Sequence, residues 1–209
     1  MNLKKFFYKH SDYSQAGQDL FAIELFGYNG TYIDIGAGDP VKGNNCYLLE
    51  TKYKWKGFSI DFGDSSEIIR QNLKARWLKH PERMNKIYWS DALTFNYNNA
   101  INENNLNFDI DFLSCDIDPQ EKTFSALRKV ILDGVKPKLI CFETDMYREK
   151  KDYSNLAYNF LEPKGYKIGV KNVYSNLKKN KIFETWFLKT SINFKTVEYS
   201  NWVKKYKFF

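Results

Sequence analysis

The chain has 209 residues, a net charge of +7 at neutral pH, 43% hydrophobic residues and 18% aromatic residues. This length fits one domain, and this apolar content is enough for a sizeable core, which excludes a disordered chain. No apolar run reaches the roughly 18 residues of a membrane-spanning helix, and the first residues lack the apolar core of a signal peptide. We therefore expect a cytoplasmic protein with no transmembrane segment. The positive charge favours an anionic partner, although an AT-rich coding bias produces the same composition.

Short β-rich runs alternate with helix-like stretches, a pattern typical of βαβ units in a mostly parallel α/β sheet. The predicted strands are Thr31–Gly36, Gly57–Asp61, Lys86–Asp91, Asp109–Asp116, Leu139–Glu143, Tyr166–Val170 and Glu184–Thr190. The predicted helices are Gln15–Phe26, Asn45–Lys54, Ser66–Leu78, Glu121–Leu132 and Tyr153–Leu161. The last two strands are joined by a Lys- and Asn-rich hairpin, so the sheet should end antiparallel. We expect a single domain: residues 1–30 form a helical appendage packed on the sheet or a lid, 31–191 form the core, and 192–209 form an aromatic and basic tail.

The first predicted strand runs into a D-x-G-x-G motif, formed by Asp34, Gly36 and Gly38 with Ala37 between the glycines. In an open α/β sheet, ligands bind beyond the carboxyl ends of the strands. The chain has no Gly-Lys-Ser/Thr, and Val41 stands where a dinucleotide fingerprint has its third glycine. The motif therefore favours a ligand with an amino-acid end over one held by its phosphates, and an ordinary glycine turn is the alternative.

The next two strand ends complete a pattern for an adenosine. Asp61 ends the second strand, where a carboxylate accepts ribose hydroxyls, and its alternative role is capping the helix near Ser65. Ser90, Asp91 and Ala92 end the third strand, where an acceptor can take an adenine amino group, and a simple turn is the alternative. Glycine loop, ribose acid and adenine acceptor follow one another on consecutive strand ends, which favours a nucleoside site.

Carboxylates cluster after the fourth and fifth strands. Asp116, Asp118 and Glu121 follow the fourth strand, and Glu143 and Asp145 follow the fifth. Carboxylates crowded at one edge repel each other, so one should have a raised pKa or share a cation. Such a group suits a general base for a hydroxyl or an Mg²⁺ site of oxygen ligands. The alternatives are that Asp118 caps the next helix and that Glu121 adds favourable charge to its first turn.

Several segments together resemble the FkbM-type methyltransferases over about Ser14 to Lys189. The matching segments are Ser14–Asp19 (S-Q-A-G-Q-D), Tyr32–Gly38 (Y-I-D-I-G-A-G), Asn45–Glu50, Trp55–Gly57 and Ile110–Asp116. The resemblance implies the Rossmann-like class I methyltransferase fold, with a seven-stranded, mostly parallel sheet. It also implies S-adenosylmethionine (SAM) as donor and O-methylation, often of sugars. Two departures are present: Asp116–Glu121 replaces the D-x-E-G-x-E of the family, and Asp61-Phe62 replaces Glu-Pro.

Residues and resemblance together give one hypothesis, a SAM-dependent O-methyltransferase acting on a sugar or glycan hydroxyl. The catalytic residues would be Asp116, Asp118 and Glu143, and the metal candidates, if Mg²⁺ is used, are Asp116 and Glu143. The donor would be held by Gln15, Gln18, Asp34, Gly36, Ala37, Gly38, Asn45, Asp61, Ser90, Asp91, Ala92 and Asp116.

Two rival hypotheses stay open: a degenerate methyltransferase fold that binds a nucleoside or glycan, and a nucleic-acid methyltransferase. DNA is not an expected partner, because Asp118-Pro119-Gln120-Glu121 lacks the aromatic residue that stacks a flipped base. The tail from Val197 to Phe209 combines aromatic residues with lysines. It either docks on the domain or forms an attachment surface, for instance to a second copy of the chain.

Overall fold

The computed structural model describes residues 13–63, 66–83, 87–147, 151–174 and 181–204. Its sheet has eight strands in the order β3-β2-β1-β4-β5-β7-β6-β8. The strands are Thr31–Ile35 (β1), Lys56–Asp61 (β2), Ile87–Trp89 (β3), Phe112–Cys115 (β4), Leu139–Glu143 (β5), Tyr166–Tyr174 (β6), Ile182–Lys189 (β7) and Val197–Glu198 (β8). Strands β1 to β5 pair in parallel, β7 is antiparallel to both β5 and β6, and the short β8 runs parallel to β6.

Seven α-helices and two short 3₁₀ turns surround the sheet in the described residues. The helices are Gln18–Phe26 (α1), Tyr47–Tyr53 (α2), Glu67–Trp77 (α3), Tyr97–Glu103 (α4), Gln120–Leu132 (α5), Tyr153–Leu161 (α6) and Tyr199–Lys204 (α7), with 3₁₀ turns at Pro81–Arg83 and Glu162–Lys164. Helices α1, α2 and α7 share one buried cluster with the sheet, and α4, α5 and α6 share the other. Helix α3 packs through Leu73 and Trp77 in a third, small cluster with Ala37.

Side-chain alternation along the strands builds both cores. In β1, Ile33 and Ile35 belong to the cluster beneath α4 to α6, whereas Tyr32 belongs to the opposite cluster. This is the period-two pattern of a strand that is covered on both faces. All five residues of β5 are buried, as expected for a strand with neighbours on both sides. The α/β class with a mostly parallel sheet and an antiparallel strand near its end is confirmed.

Some predicted boundaries were wrong. The sheet has eight strands where seven were expected, because the chain after β7 adds the two-residue β8 at the edge. Helix α4 was not predicted, since its sequence Y-N-N-A-I-N-E is mostly polar and only Tyr97, Ala100 and Ile101 are buried. The third strand is shorter than predicted, and the loop after it begins at Ser90.

Helix α1 packs on the sheet, which is one of the two arrangements expected for residues 1–30. Six of its nine residues are buried, including Leu20, Phe21 and Ile23. A lid would leave one face of this helix exposed, so α1 is part of the core. Residues 1–12 lie outside the described residues. Among the described helices, none is long and apolar enough to cross a membrane.

The tail is docked on the domain as far as the structure describes it. Tyr199 and Trp202 are buried, and the Trp202 ring centroid lies 5.2 Å from that of Trp186 and 5.5 Å from that of Phe21. The Trp202 indole Nε1 donates a hydrogen bond to Glu24 at 2.7 Å. These two rings are therefore occupied by core packing. The remaining aromatic residues of the tail, Tyr206, Phe208 and Phe209, lie outside the described residues.

Candidate functional site

The loop after β1 turns sharply at Gly36 and touches the end of β4. Gly36 has a φ of 81°, and a Cβ placed on it would lie 1.6 Å from the backbone carbonyl oxygen of Asp116. Any side chain would collide there with backbone, so the position requires glycine for both its conformation and its space. The first glycine of the motif thus lets two strand ends approach each other closely.

A cavity of about 570 Å³ lies at the carboxyl ends of β1 to β4. Seven predicted residues line it, namely Gly36, Asp61, Ser90, Asp91, Ala92, Asp116 and Asp118. Its other lining residues are Ile60, Phe62, Gly63, Leu73, Ile117 and Lys122, which the sequence did not single out. Phe62 and Ile117 directly follow predicted strand-end residues, so their position in the chain was the available signal. Lys122 and Leu73 lie on helices, where nothing marked them as lining residues.

Asp61 is tied to the glycine loop. One carboxylate oxygen accepts a hydrogen bond from the backbone N–H of Gly38 at 2.7 Å, and the other accepts from the N–H of Gly63. A carboxylate oxygen has two lone pairs, so each still has capacity for a hydroxyl of a ligand. The alternative role as a cap at Ser65 lies outside the described residues.

The turn after β3 fits both of its predicted roles, a simple turn and a part of the binding site. The Asp91 side chain accepts from the N–H of Leu93 at 2.8 Å, and its carbonyl accepts from the N–H groups of Thr94 and Phe95. The turn is therefore internally bonded, and Ser90, Asp91 and Ala92 still face the cavity. Capping the turn and lining the cavity do not exclude each other.

Asp34 and Asn45 lie behind the glycine loop and outside the cavity lining. Asp34 is 2% exposed, and burial raises its pKa to about 6, opposed by the positive charge of Arg83. The Asn45 side-chain amide donates to the Ser114 hydroxyl at 3.0 Å. Direct donor binding by these two residues stays a prediction, because in this structure both side chains form hydrogen bonds with Ser114 of β4.

Gln15 and Gln18 also lie outside the cavity lining. Gln15 is exposed beside Gly43, at the far end of the glycine loop. Gln18 is buried, accepts from the N–H of Ala16 at 2.8 Å and donates to Glu184 at 2.8 Å. Gln18 therefore joins the start of α1 to β7. Glu184 was not predicted, and burial raises its pKa to about 8.

Asp116 and Glu143 form a side-chain hydrogen bond across the ends of β4 and β5. Burial raises the pKa of Glu143 far above its usual range, and the neighbouring Asp116 charge raises it further. Burial raises the pKa of Asp116 as well, and its hydrogen bond with Glu143 opposes that rise, so the pair shares a proton that is held more tightly on Glu143. The sequence predicted a raised pKa within this cluster. It also offered Glu143 as a base, and that role stays a prediction, which the raised pKa of Glu143 disfavours.

The carboxylates that could hold a metal ion differ from the predicted pair. Oxygen atoms of Asp118, Glu143 and Asp145 lie within 4.8 Å of one another, and this is the group found in the described residues. Oxygen ligands of this kind suit Mg²⁺. Asp118 is exposed and does not cap α5, because Pro119 occupies the N-cap position. Glu121 lies in the first turn of α5, as its alternative role required.

No protein-family model matches the chain, and no curated protein matches its sequence significantly. Solved structures are similar in fold. The chain resembles the METTL16 MTase domain (TM-score 0.55, 13% identity, covering 82% of this chain and 66% of that one). It also resembles an rRNA methylase from Streptococcus thermophilus (0.51, 15%, 82% and 93%) and SMU.1697c from Streptococcus mutans in complex with SAH (0.51, 16%, 82% and 94%). At these identities the likeness shows the fold, and the chain has the Rossmann-like fold of SAM-dependent methyltransferases.

Proposed function

We propose that this protein is a SAM-dependent methyltransferase that methylates a hydroxyl oxygen of a sugar or glycan. One observation supports SAM as the methyl donor. Gly36, Asp61, the Ser90–Ala92 turn and Asp116 line one cavity, in the order in which the chain visits the ends of β1, β2, β3 and β4. This is the order expected for an amino-acid end, a ribose and an adenine laid along the edge of the sheet. The fold of the similar structures supports the same donor.

The residues suit the donor chemically. Asp61 has lone pairs for ribose hydroxyls, the Ser90–Ala92 turn would face the adenine, and the carboxyl oxygens of Asp116 would accept hydrogen bonds from the donor's ammonium group. When bound, SAM supplies an electrophilic methyl group on a sulfonium. The new bond joins this carbon to the acceptor oxygen, the carbon–sulfur bond breaks, and its electron pair stays on sulfur to leave S-adenosylhomocysteine (SAH).

The proton of the acceptor hydroxyl needs a carboxylate that can accept it. Burial favours the protonated form of Glu143, so Asp118, which lies exposed in the wall of the cavity, is the proposed general base. If Mg²⁺ is used, Asp118, Glu143 and Asp145 would hold it, and the ion would displace the proton of Glu143. Such an ion would polarise the hydroxyl directly.

The acceptor class rests on the resemblance of the sequence to FkbM-type enzymes. RNA is the second candidate, favoured by the net charge of +7 and by the name of one similar structure, the rRNA methylase. The segment after β4, Asp118-Pro119-Gln120-Glu121, has no aromatic residue to stack a base, which favours the sugar. The protein would then act where sugar acceptors are assembled, in the cytoplasm.

Calorimetry with SAM, SAH and NAD tests the donor, and transfer of a labelled methyl group to a glycan panel and to total RNA tests the acceptor. We expect SAM and SAH to bind, Asp61→Ala to weaken both, and label to enter a glycan. Binding of NAD with neither SAM nor SAH would exclude the donor assignment. Label in RNA alone would replace the sugar by RNA, and donor binding without transfer to either class would support the degenerate binding protein.

A further inference from the structure

Three side chains that do not reach the cavity hold the carbonyl oxygens of the glycine loop. The side-chain amide of Asn44 donates to the carbonyl of Ala37 at 2.9 Å. The indole Nε1 of Trp77 donates to the carbonyl of Gly38 at 2.9 Å. The guanidinium Nη1 of Arg83 donates to the carbonyl of Pro40 at 2.6 Å. Between these anchors, the N–H of Gly38 donates to Asp61, so the loop conformation and the position of the ribose acid are linked.

The contacts of Arg83 fix its guanidinium group in one orientation. The residue is 1% exposed, its Nε donates to Glu50 at 2.9 Å, and its Cζ lies 4.6 Å from the centre of the Trp77 ring. A planar guanidinium that is stacked on a ring and bonded on two edges has one orientation left. Because Trp77 is the second loop anchor, Arg83 fixes the loop both directly and through the ring beneath it.

Arg83 comes from a segment of the chain that does not line the cavity. It ends the 3₁₀ turn Pro81–Arg83, which follows α3, whereas the cavity lies at the carboxyl ends of the strands. A buried arginine is costly unless it is paired, and Glu50 of α2 supplies the pairing charge. The ion pair with Glu50 alone would explain burial, but it would not require the guanidinium to reach Pro40.

We propose that Arg83 is a positioning residue for the methyl donor, holding the loop from Gly36 to Pro40 in the conformation that binds it. This inference rests on the proposed function, because the donor is the ligand whose binding it controls. Arg83 acts through Pro40 and Trp77 and does not touch the donor. Without it the loop loses the anchor at Pro40 and the lateral support of Trp77, so binding has to order the loop again.

The test separates positioning from stability by comparing two variants of the same ion pair. Arg83→Met removes both the ion pair and the loop anchor, whereas Glu50→Gln weakens the ion pair and leaves the anchor at Pro40. Calorimetric titration with SAH gives the dissociation constant of each folded variant, and thermal unfolding gives its Tm. We expect both variants to lose Tm, and only Arg83→Met to bind SAH about tenfold or more weakly, since Glu50→Gln should stay within about twofold.

A spectroscopic signal reports the loop without any ligand. The indole N–H resonance of Trp77, assigned with Trp77→Phe, should move in Arg83→Met and stay near its native position in Glu50→Gln. If Arg83→Met does not fold, Arg83→Lys with Glu50 intact keeps a cation and takes its place, with the same weakening of SAH expected. Equal SAH affinity in the arginine variant and Glu50→Gln, with an unmoved Trp77 resonance, would overturn the inference. Failure of the wild-type protein to bind SAH would instead overturn the proposed function.

Discussion

Replacement of Trp202 by alanine tests whether the C-terminal segment is core or attachment surface. The indole is fully buried, packs against Phe21 and Trp186, and closes over Gly17. Removing a buried tryptophan costs about 3–5 kcal/mol of unfolding free energy, because apolar area is lost and a cavity remains. For a chain of this length, each kcal/mol lowers Tm by about 2–4 °C, so we expect a fall of roughly 10 °C.

Two comparison variants resolve what the indole contributes. Trp202→Phe keeps most of the ring packing and loses the hydrogen bond to Glu24, which should cost about 1–3 kcal/mol. Leu132→Ala removes a large apolar side chain that is 64% exposed on α5, and it should cost less than about 0.5 kcal/mol. Urea unfolding measures stability, and sedimentation of each variant measures oligomer size. The reasoning is refuted if Trp202→Ala stays as stable as Leu132→Ala while its sedimentation coefficient falls.

Three further outcomes are expected. Gly36→Ala should abolish SAH binding, as measured by calorimetry, and should destabilise the fold by several kcal/mol, as measured by urea unfolding. The reason is that the new Cβ would overlap the Asp116 carbonyl at a left-handed φ. Native SAH affinity of this variant would contradict the prediction. Unfolding free energy, measured by urea titration, should fall by several kcal/mol as pH rises from about 4.5 to 8. The reason is that burial raises the pKa values of Asp34 to about 6, Asp19 to about 7 and Glu184 to about 8, so the native state binds more protons than the unfolded state in this range. A rise in stability over the same range would show that these groups are ionised in the native state. Chelator should lower methyl transfer and Mg²⁺ should restore it if the carboxylates after β4 and β5 hold an ion, whereas unchanged transfer would leave Asp118 as base without a metal.

The sequence was sufficient for seven of the eight strands and for the polar strand-end residues in the wall of the cavity. Alternation between apolar runs and helical spacing predicted every strand from β1 to β7, because parallel strands buried on both faces leave a continuous apolar signal. Strand-end residues were then enough for the cavity, because the carboxyl ends of neighbouring parallel strands meet at one edge. Gly36, Asp61, Asp91 and Asp116 met there although up to 80 residues separate them.

The groups behind the wall could not be predicted, because their role depends on contacts between distant segments. Arg83 lies in a polar stretch with nothing to mark it as buried, and its partners Glu50 and Pro40 come from other elements. Gln18 belongs to the S-Q-A-G-Q-D segment, yet its partner Glu184 is 166 residues away. The proton on Glu143 likewise depends on burial beside Asp116, which spacing along the chain does not reveal.

The position of β7 between β5 and β6 has a consequence for how the chain folds during synthesis. Strand β5 has no partner on its outer side until Ile182–Lys189 arrives, and helix α1 has to wait for Trp186 and Glu184 of the same strand. Contacts between the two ends of a chain carry a high loop-closure cost and form late. A ribosome-bound chain that stops before β7 therefore exposes the edge of β5 and the apolar side of α1, and such chains should be bound by chaperones until β7 emerges.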